Sequence, residues 1–395
     1  MSEFRTIREL CSVVVDCPHS TPKWTANGKI VIRNNNIKHG RIDFSSPSYT
    51  DDEHFAQRIK RAKPQPGDII ITREAPIGDV GMIPENTECC LGQRMVLLRA
   101  NQSVCDNFYL LYSLQSLYVQ HQISWSEGTG TTVSNLRIPH LEQIQIPYLP
   151  LEQQAKISSV LRALEEKIEN NRRLNDNLEQ QAQSYFQELF VDNADPEWTT
   201  GTISDLGTVV GGSTPSKAKP EYYTESGIAW ITPKDLSNNK SKFVSHGEND
   251  ITELGLRNSS ASIMPEGTVL FSSRAPIGYI AIAAGEVTTN QGFKSVVPKP
   301  EIGTPFVYFF LKNTLPVIEG MASGSTFKEV SGSTMKNVPA VIPDAETLAK
   351  FSDFCAPIFA QQRILEEQNQ SLATLRDNLL PKLMSGEIDV SAVQL

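Results

Sequence analysis

A twelve-residue stretch occurs twice in this chain. Gly67-Asp68-Ile69-Ile70-Ile71-Thr72-Arg73-Glu74-Ala75-Pro76-Ile77-Gly78 returns as Gly267-Thr268-Val269-Leu270-Phe271-Ser272-Ser273-Arg274-Ala275-Pro276-Ile277-Gly278, 200 residues later and without a gap. Other pieces recur in the same order. Val31-Ile32 before Arg33-Asn34-Asn35-Asn36-Ile37 aligns with Trp230-Ile231 before Thr232-Pro233-Lys234-Asp235-Leu236, and Gly130-Thr131-Thr132-Val133 with Gly324-Ser325-Thr326-Phe327. Each copy ends in a proline-containing connector, Ile146 to Pro150 and Val338 to Pro343. Matches in this order mark a duplicated unit, with the architecture globule, helix, globule, helix. The 395 residues hold two or three units at about 100–200 residues each.

Within each copy, short apolar runs bounded by glycine, proline or charge predict strands: Asp68–Thr72, Met95–Leu98, Thr268–Phe271 and Ser295–Val297. Phe108 to Gln120 and Thr304 to Asn313 read as helices. The segments after each copy differ in kind. Ile157, Leu161, Leu164, Ile168, Asn171, Asn175, Leu178, Ala182, Tyr185 and Leu189 step by fours and threes, a heptad seam with two asparagine layers. Phe351, Phe354, Ile358, Gln361, Leu365, Gln368, Leu372, Leu375 and Leu379 repeat the pattern with two glutamine layers. At 1.5 Å per residue, 40 residues make a rod of about 60 Å. Each seam needs a partner, and the other seam is the nearest one. The expected fold is α+β: two pseudo-symmetric mixed α/β globules, 1–150 and 194–343, separated by long helices at 151–193 and 344–395 that pair as an antiparallel coiled coil. Such an object suits a target with two separated parts, as duplex DNA with two half-sites has.

The formal charge of −9 argues against a nucleic-acid partner until it is divided. Residues 1–150 balance 15 cations with 15 anions, and 196–343 balance 12 with 13. The helical segments 151–195 and 344–395 carry −4 each, so both globules are free to present a basic face. No stretch is long and apolar enough for a spanning helix, the first residues lack a secretory h-region, and six cysteines form no disulfide framework; a cytoplasmic protein without a membrane partner is expected.

Catalytic signatures are missing. No Asn/Asp-Pro-Pro-aromatic tetrapeptide, phosphate-cradling Gly-x-x-x-x-Gly-Lys-Ser/Thr loop or Gly-x-Ser-x-Gly elbow occurs. Cys11, Cys17 and His19 lack the spacing and second ligand pair of a structural zinc site. Neither catalytic nor metal residues are assigned. The residues leave two readings open: a DNA-binding subunit, or a coiled-coil scaffold with two protein-binding lobes.

Across essentially its whole length the chain resembles the DNA-specificity subunit of type I restriction–modification enzymes. The resemblance is carried by Gly212-Ser213-Thr214-Pro215-Ser216, Trp230 to Leu236, Ser273 to Gly278, Asn290-Gln291-Gly292-Phe293 and the tail Leu379 to Ile388. The first copy departs from these forms, with Cys17 to Pro22 and Asn34-Asn35-Asn36 in place of two of them. The resemblance implies two target-recognition domains reading a bipartite sequence with a non-specific gap in double-stranded DNA. It also implies helices that dock two modification (methyltransferase) subunits and, through them, restriction subunits, in a host-defence system. The chain itself would hold no cofactor; AdoMet, ATP and Mg²⁺ would belong to the partners.

Phosphates require cations, and base edges require amides, guanidiniums and hydroxyls. The candidates in the first copy are Arg33, Asn34, Asn35, Asn36, Lys38 and Arg41, the basic loop Arg58, Lys60, Arg61 and Lys63, and Arg73. In the second copy they are Lys217, Lys219, Thr232, Lys234, Lys240, Lys242, Arg274 and Lys328. The polar loops Gly128–Ser134 and Ser323–Lys328 are further candidates for phosphate contact.

Overall fold

The computed structural model describes residues 3–38, 40–125, 135–324 and 328–393. It divides into two compact units: Met1–Ile168 with Ser371–Leu395, and Glu169–Gln370. This division cuts across both long helices, so each helix gives residues to both units.

In the first unit, Cys11–Asp16, Met95–Ala100, Ile69–Thr72 and Val80–Met82 form an antiparallel sheet in that order. A second sheet places Lys29–Ile32 between Ser48–Thr50, antiparallel, and Cys89–Leu91, parallel. Glu3–Thr6 and Gln145–Tyr148 close the globule as a two-stranded ribbon. The core gathers Ile7, Tyr109, Leu110 and Leu114 with Ile157 and Leu161 of the first long helix and Leu383, Met384 and Val390 from the end of the chain.

The second unit repeats this plan. Gly207–Gly211, Lys294–Pro298, Val269–Ser273 and Ile277–Ala283 form the main sheet, extended by Phe243–Val244. Ile228–Ile231 lies between Asn249–Ile251, antiparallel, and Thr288–Thr289, parallel, and Thr199–Thr202 pairs with Pro339–Ile342. Even the caps agree: the Thr6 amide donates to Glu9 at 2.7 Å and the Thr202 amide to Asp205 at 2.9 Å, both capping boxes. Phe186, Phe190, Phe306, Phe309 and Phe351 form an aromatic core with ring centroids 4.8–6.0 Å apart.

The four strand expectations match strands of the sheets. The helix expected from Phe108 to Gln120 is two, Asn107–Gln115 and Leu117–Ser124. Ser116 divides them, its hydroxyl donating back to the Ser113 carbonyl and accepting from the Val119 amide.

The first long helix is Leu151–Gln187 and the second Ala345–Met384, the latter running through both Pro357 and Pro381. Ile157, Leu161, Ile168 and Ala182 are buried, Leu164 and Leu178 half-buried. Within the second unit the helices run antiparallel: Asn171 bonds Gln368 at 3.3 Å, Asn175 bonds Glu366 at 3.2 Å, and the Tyr185 ring lies 4.5 Å from that of Phe354. The second seam needs a correction. Phe351, Ile358 and Leu365 are buried and Leu372 and Leu379 half-buried, but Phe354 is 39% and Leu375 46% exposed, and Gln361 and Gln368 are exposed. The inner positions between are Cys355, Gln362, Asn369 and Arg376, one residue further on. The three–four spacing holds either way; the greasier residues at 354 and 375 lie on the flank, and the polar ones point inward.

Gln362 belongs to a buried polar cluster in the second unit. Glu179 accepts from Lys242 at 2.8 Å and Lys312 at 2.5 Å, and Tyr308 donates to it at 3.2 Å. Lys242 also donates to Gln362 at 2.9 Å and lies 3.5 Å from the Phe359 ring centre. Burial works against the Glu179 charge, but the two ammoniums prevail and hold its carboxyl at about 2. Burial pulls the Lys242 ammonium down to about 8 against the opposing attraction of Glu179.

Because the folded pKa of Glu179 lies below its ordinary value of 4.5, its stabilisation is complete above pH 4.5 and is lost as the pH falls towards 2. Glu179→Gln is expected to destabilise the protein at pH 7 by on the order of 3 kcal/mol and to flatten the loss of stability below pH 4.5. Denaturant titrations across pH check both; unchanged stability and an unchanged acid slope would remove this role.

Candidate nucleic-acid interface

Lys29–Ile32 and Cys89–Leu91 run parallel, so the chain leaves both at the same edge, and the Gly92 amide bonds the Ile32 carbonyl at 2.7 Å. Beyond that edge Arg33, Asn34 and Asn35 face Gly92, Gln93 and Arg94 across a cleft of about 500 Å³, completed by Pro22, Trp24 and Ala75. The second unit builds the same cleft from the ends of Ile228–Ile231 and Thr288–Thr289. There Thr232, Pro233 and Lys234 face Asn290, Gln291 and Gly292, and Thr214, Lys217 and Arg274 contribute to a space of about 470 Å³.

Seven of the expected contact residues therefore converge on two equivalent clefts. Arg33 is exposed with its guanidinium 5.2 Å from the Trp24 ring centre. Asn34 donates to the Glu74 carbonyl at 2.6 Å, and Asn35 is exposed. Lys234 pairs with Glu248 at 2.6 Å, which raises its ammonium pKa. Arg274 pairs with Glu329 at 3.5 Å and is about a third exposed. Thr232 caps its helix, its hydroxyl and amide both donating to Asp235, and Lys217 is exposed.

Several candidates are structural instead. Asn36 is buried, bonded to the Arg33 amide and the Asp43 carbonyl. Arg41 donates to the Glu165 carbonyl at 3.0 Å. Arg58 is 6% exposed and gives its protons to four carbonyls, of Leu91, Ser20, Pro18 and Gly92, at 2.7–3.1 Å; burial lowers its pKa. Arg73 is clamped to Asp16 at 2.8 Å and to Leu136 and Asn135. Lys242 lies in the buried Glu179 cluster. For the four cations among them, backbone carbonyls or carboxylates of the same unit claim the charge.

The other candidates are not among the residues lining the clefts. Lys38 pairs with Asp43 at 2.6 Å and Lys63 with Glu88 at 2.7 Å. Arg61 reaches the Asp16 carbonyl at 3.4 Å, and Lys219 sits 5.2 Å from the Tyr222 ring centre. Lys60, Lys240 and Lys328 are exposed. Gly128–Ser134, and Ser325 to Phe327 of the second polar loop, lie outside the described residues.

Sequence reasoning missed Trp24, Gln93, Arg94, Asn249 and Gln291, all lining the clefts. A signal was available for Gln291, in the Asn290-Gln291-Gly292-Phe293 segment. Among the described residues no group of three or more His, Cys, Asp or Glu is placed to hold a metal, and Cys11 and Cys17 are buried. No helix is long and apolar enough to cross a membrane, again among the described residues.

A family model, the type I restriction modification DNA specificity domain, matches residues 3–180 and again 196–375. The chain belongs to this family. It is similar to the type I restriction enzyme MjaIX specificity subunit of Methanocaldococcus jannaschii, 39% identical over 191 residues, 46% of this chain and 44% of that one. It is also similar to the HindI specificity subunit of Haemophilus influenzae, 28% identical over 194 residues, 48% of this chain and 42% of the other. Each match spans less than half the length of the relative. A crystal structure of a type I restriction-modification S subunit from M. genitalium shares the fold, with a TM-score of 0.60 and 19% identity over 97% of this chain and 96% of that one.

Removing Arg58 strands four carbonyls. Arg58→Ala is expected to cost on the order of 2–4 kcal/mol, whereas Lys60→Ala, two residues away and exposed, should stay within about 0.5 kcal/mol. Denaturant unfolding of the two variants side by side distinguishes a structural arginine from a surface one.

Proposed function

We propose that this chain is the non-catalytic subunit that gives a type I restriction–modification complex its DNA sequence specificity, each unit reading one half of a bipartite duplex target. The observation that carries this is the repetition of one polar cleft at the same edge of the same parallel strand pair in two divergent copies. Each cleft combines guanidinium or ammonium groups with side-chain amides, the chemistry of phosphate neutralisation and base-edge readout. Their differing residues fit an asymmetric target: Arg33, Asn34, Asn35 and Arg94 in one, Thr232, Lys234 and Arg274 in the other. The family membership favours this over the scaffold reading.

In this reading methylation and cleavage belong to partner subunits, which supply AdoMet, ATP and Mg²⁺ chemistry. Two modification subunits dock on the long helices, restriction subunits join through them, and the complex works in the cytoplasm. The helices carry the chain from one unit's residues into the other's, and their length sets the gap between half-sites.

Gel-shift titrations of the chain on its target duplex are expected to weaken steeply with salt, by roughly one logarithmic unit of affinity per logarithmic unit of salt for each phosphate contacted. A flat response would overturn the DNA-binding reading. Inserting one heptad into both long helices is expected to change the gap while leaving the half-sites intact, as read by methylome sequencing with the modification partner. An unchanged gap would refute the spacer role.

A further inference from the structure

The sheets establish a residue-by-residue correspondence between the two clefts. Val96 faces Asp16 where Lys294 faces Gly211, and Leu91 lies beside Ile32 where Thr289 lies beside Ile231. The Arg73 amide bonds the Arg94 carbonyl at 2.8 Å, and the Ser273 amide bonds the Gly292 carbonyl at 2.7 Å. Gly92, Gln93 and Arg94 therefore stand where Asn290, Gln291 and Gly292 stand. Of these three pairs only the central one keeps its residue, and across the cleft Arg33, Asn34 and Asn35 share nothing with Thr232, Pro233 and Lys234. Each glutamine is held by the equivalent segment, two residues beyond Cys17 or Gly212. Gln93 donates to the His19 carbonyl, and Gln291 accepts from the Thr214 hydroxyl.

We infer that Gln93 and Gln291 are the base-edge readers common to both clefts, and that each reads an adenine, one in each half-site. This rests on the DNA-reading function proposed above. A primary amide offers two donor protons and two acceptor lone pairs, so one bond to His19 or Thr214 leaves a donor and an acceptor side by side. That pair matches N7 and N6–H₂ of adenine in the major groove. Sharing one reader makes one base common to both half-sites, while the unshared residues around it make the remaining positions differ.

The test selects duplexes from a randomised pool with the full-length chain and sequences them. The unsubstituted chain is expected to yield two half-sites, each with an adenine. Gln93→Ala should lower the preference for that base about ten- to hundred-fold in one half-site only, and Gln291→Ala in the other. Gln93→Glu and Gln291→Glu keep the size and remove the donor, so the preference should move to cytosine, whose N4–H₂ donates to a carboxylate. The untouched half-site reports that the variant is folded. Unchanged consensus in all four variants, half-sites without adenine, or loss of both half-sites together with a lowered melting temperature would each overturn the assignment. Failure of the unsubstituted chain to select any sequence would instead overturn the DNA-reading function, and this inference with it.

Discussion

Both clefts depend on two strands running in the same direction. In an antiparallel pair the chain leaves from opposite ends, and polar turns that follow the strands are kept apart. Lys29–Ile32 with Cys89–Leu91, and Ile228–Ile231 with Thr288–Thr289, are parallel, so segments about 60 residues apart in sequence emerge side by side. Because parallel strands need a long crossover, the stretch between them has room for the strand Ile69–Thr72 or Val269–Ser273 of the main sheet and for the Ala-Pro loop that lies beside the cleft. The duplicated twelve residues are thus the support of the site more than its reading surface.

That explains what was legible in sequence. The repeat, the strands at Ile69 and Val269 and both long helices follow from apolar periodicity, because a buried face has to be written in apolar residues. The cleft was half legible. Asn34, Asn35, Lys234 and Arg274 stand in polar runs that reach solvent. Asn36, Arg58 and Arg73 stand in similar runs but bind carbonyls and carboxylates of their own unit, and composition does not record which way a side chain turns. Gln93 and Arg94 sit between two apolar strands, where their neighbours conceal them; only the strand register reveals their equivalence to Gln291 and Gly292.

The second long helix shows the same limit in one dimension. Its period is readable, but the inner face lies one residue beyond the apolar pattern at alternate positions, because Phe354 and Leu375 are more apolar than the Cys355 and Arg376 that point inward. A polar inner layer lowers stability and specifies alignment. Gln362 does so here by bonding both the Asn175 carbonyl and Glu179, tying the helices to the ion cluster of the second unit. Hydrophobic content alone ranks such a residue last among core candidates.

The two units also differ in how they are threaded. The second is one continuous stretch, Glu169–Gln370, whereas the first joins Met1–Ile168 to Ser371–Leu395 and includes Leu383, Met384 and Val390 in its core. During synthesis the later unit therefore has its full set of residues first. The earlier one lacks part of its apolar core around Tyr109 and Ile157 until the final turns of the last helix, and Val390 beyond it, leave the ribosome.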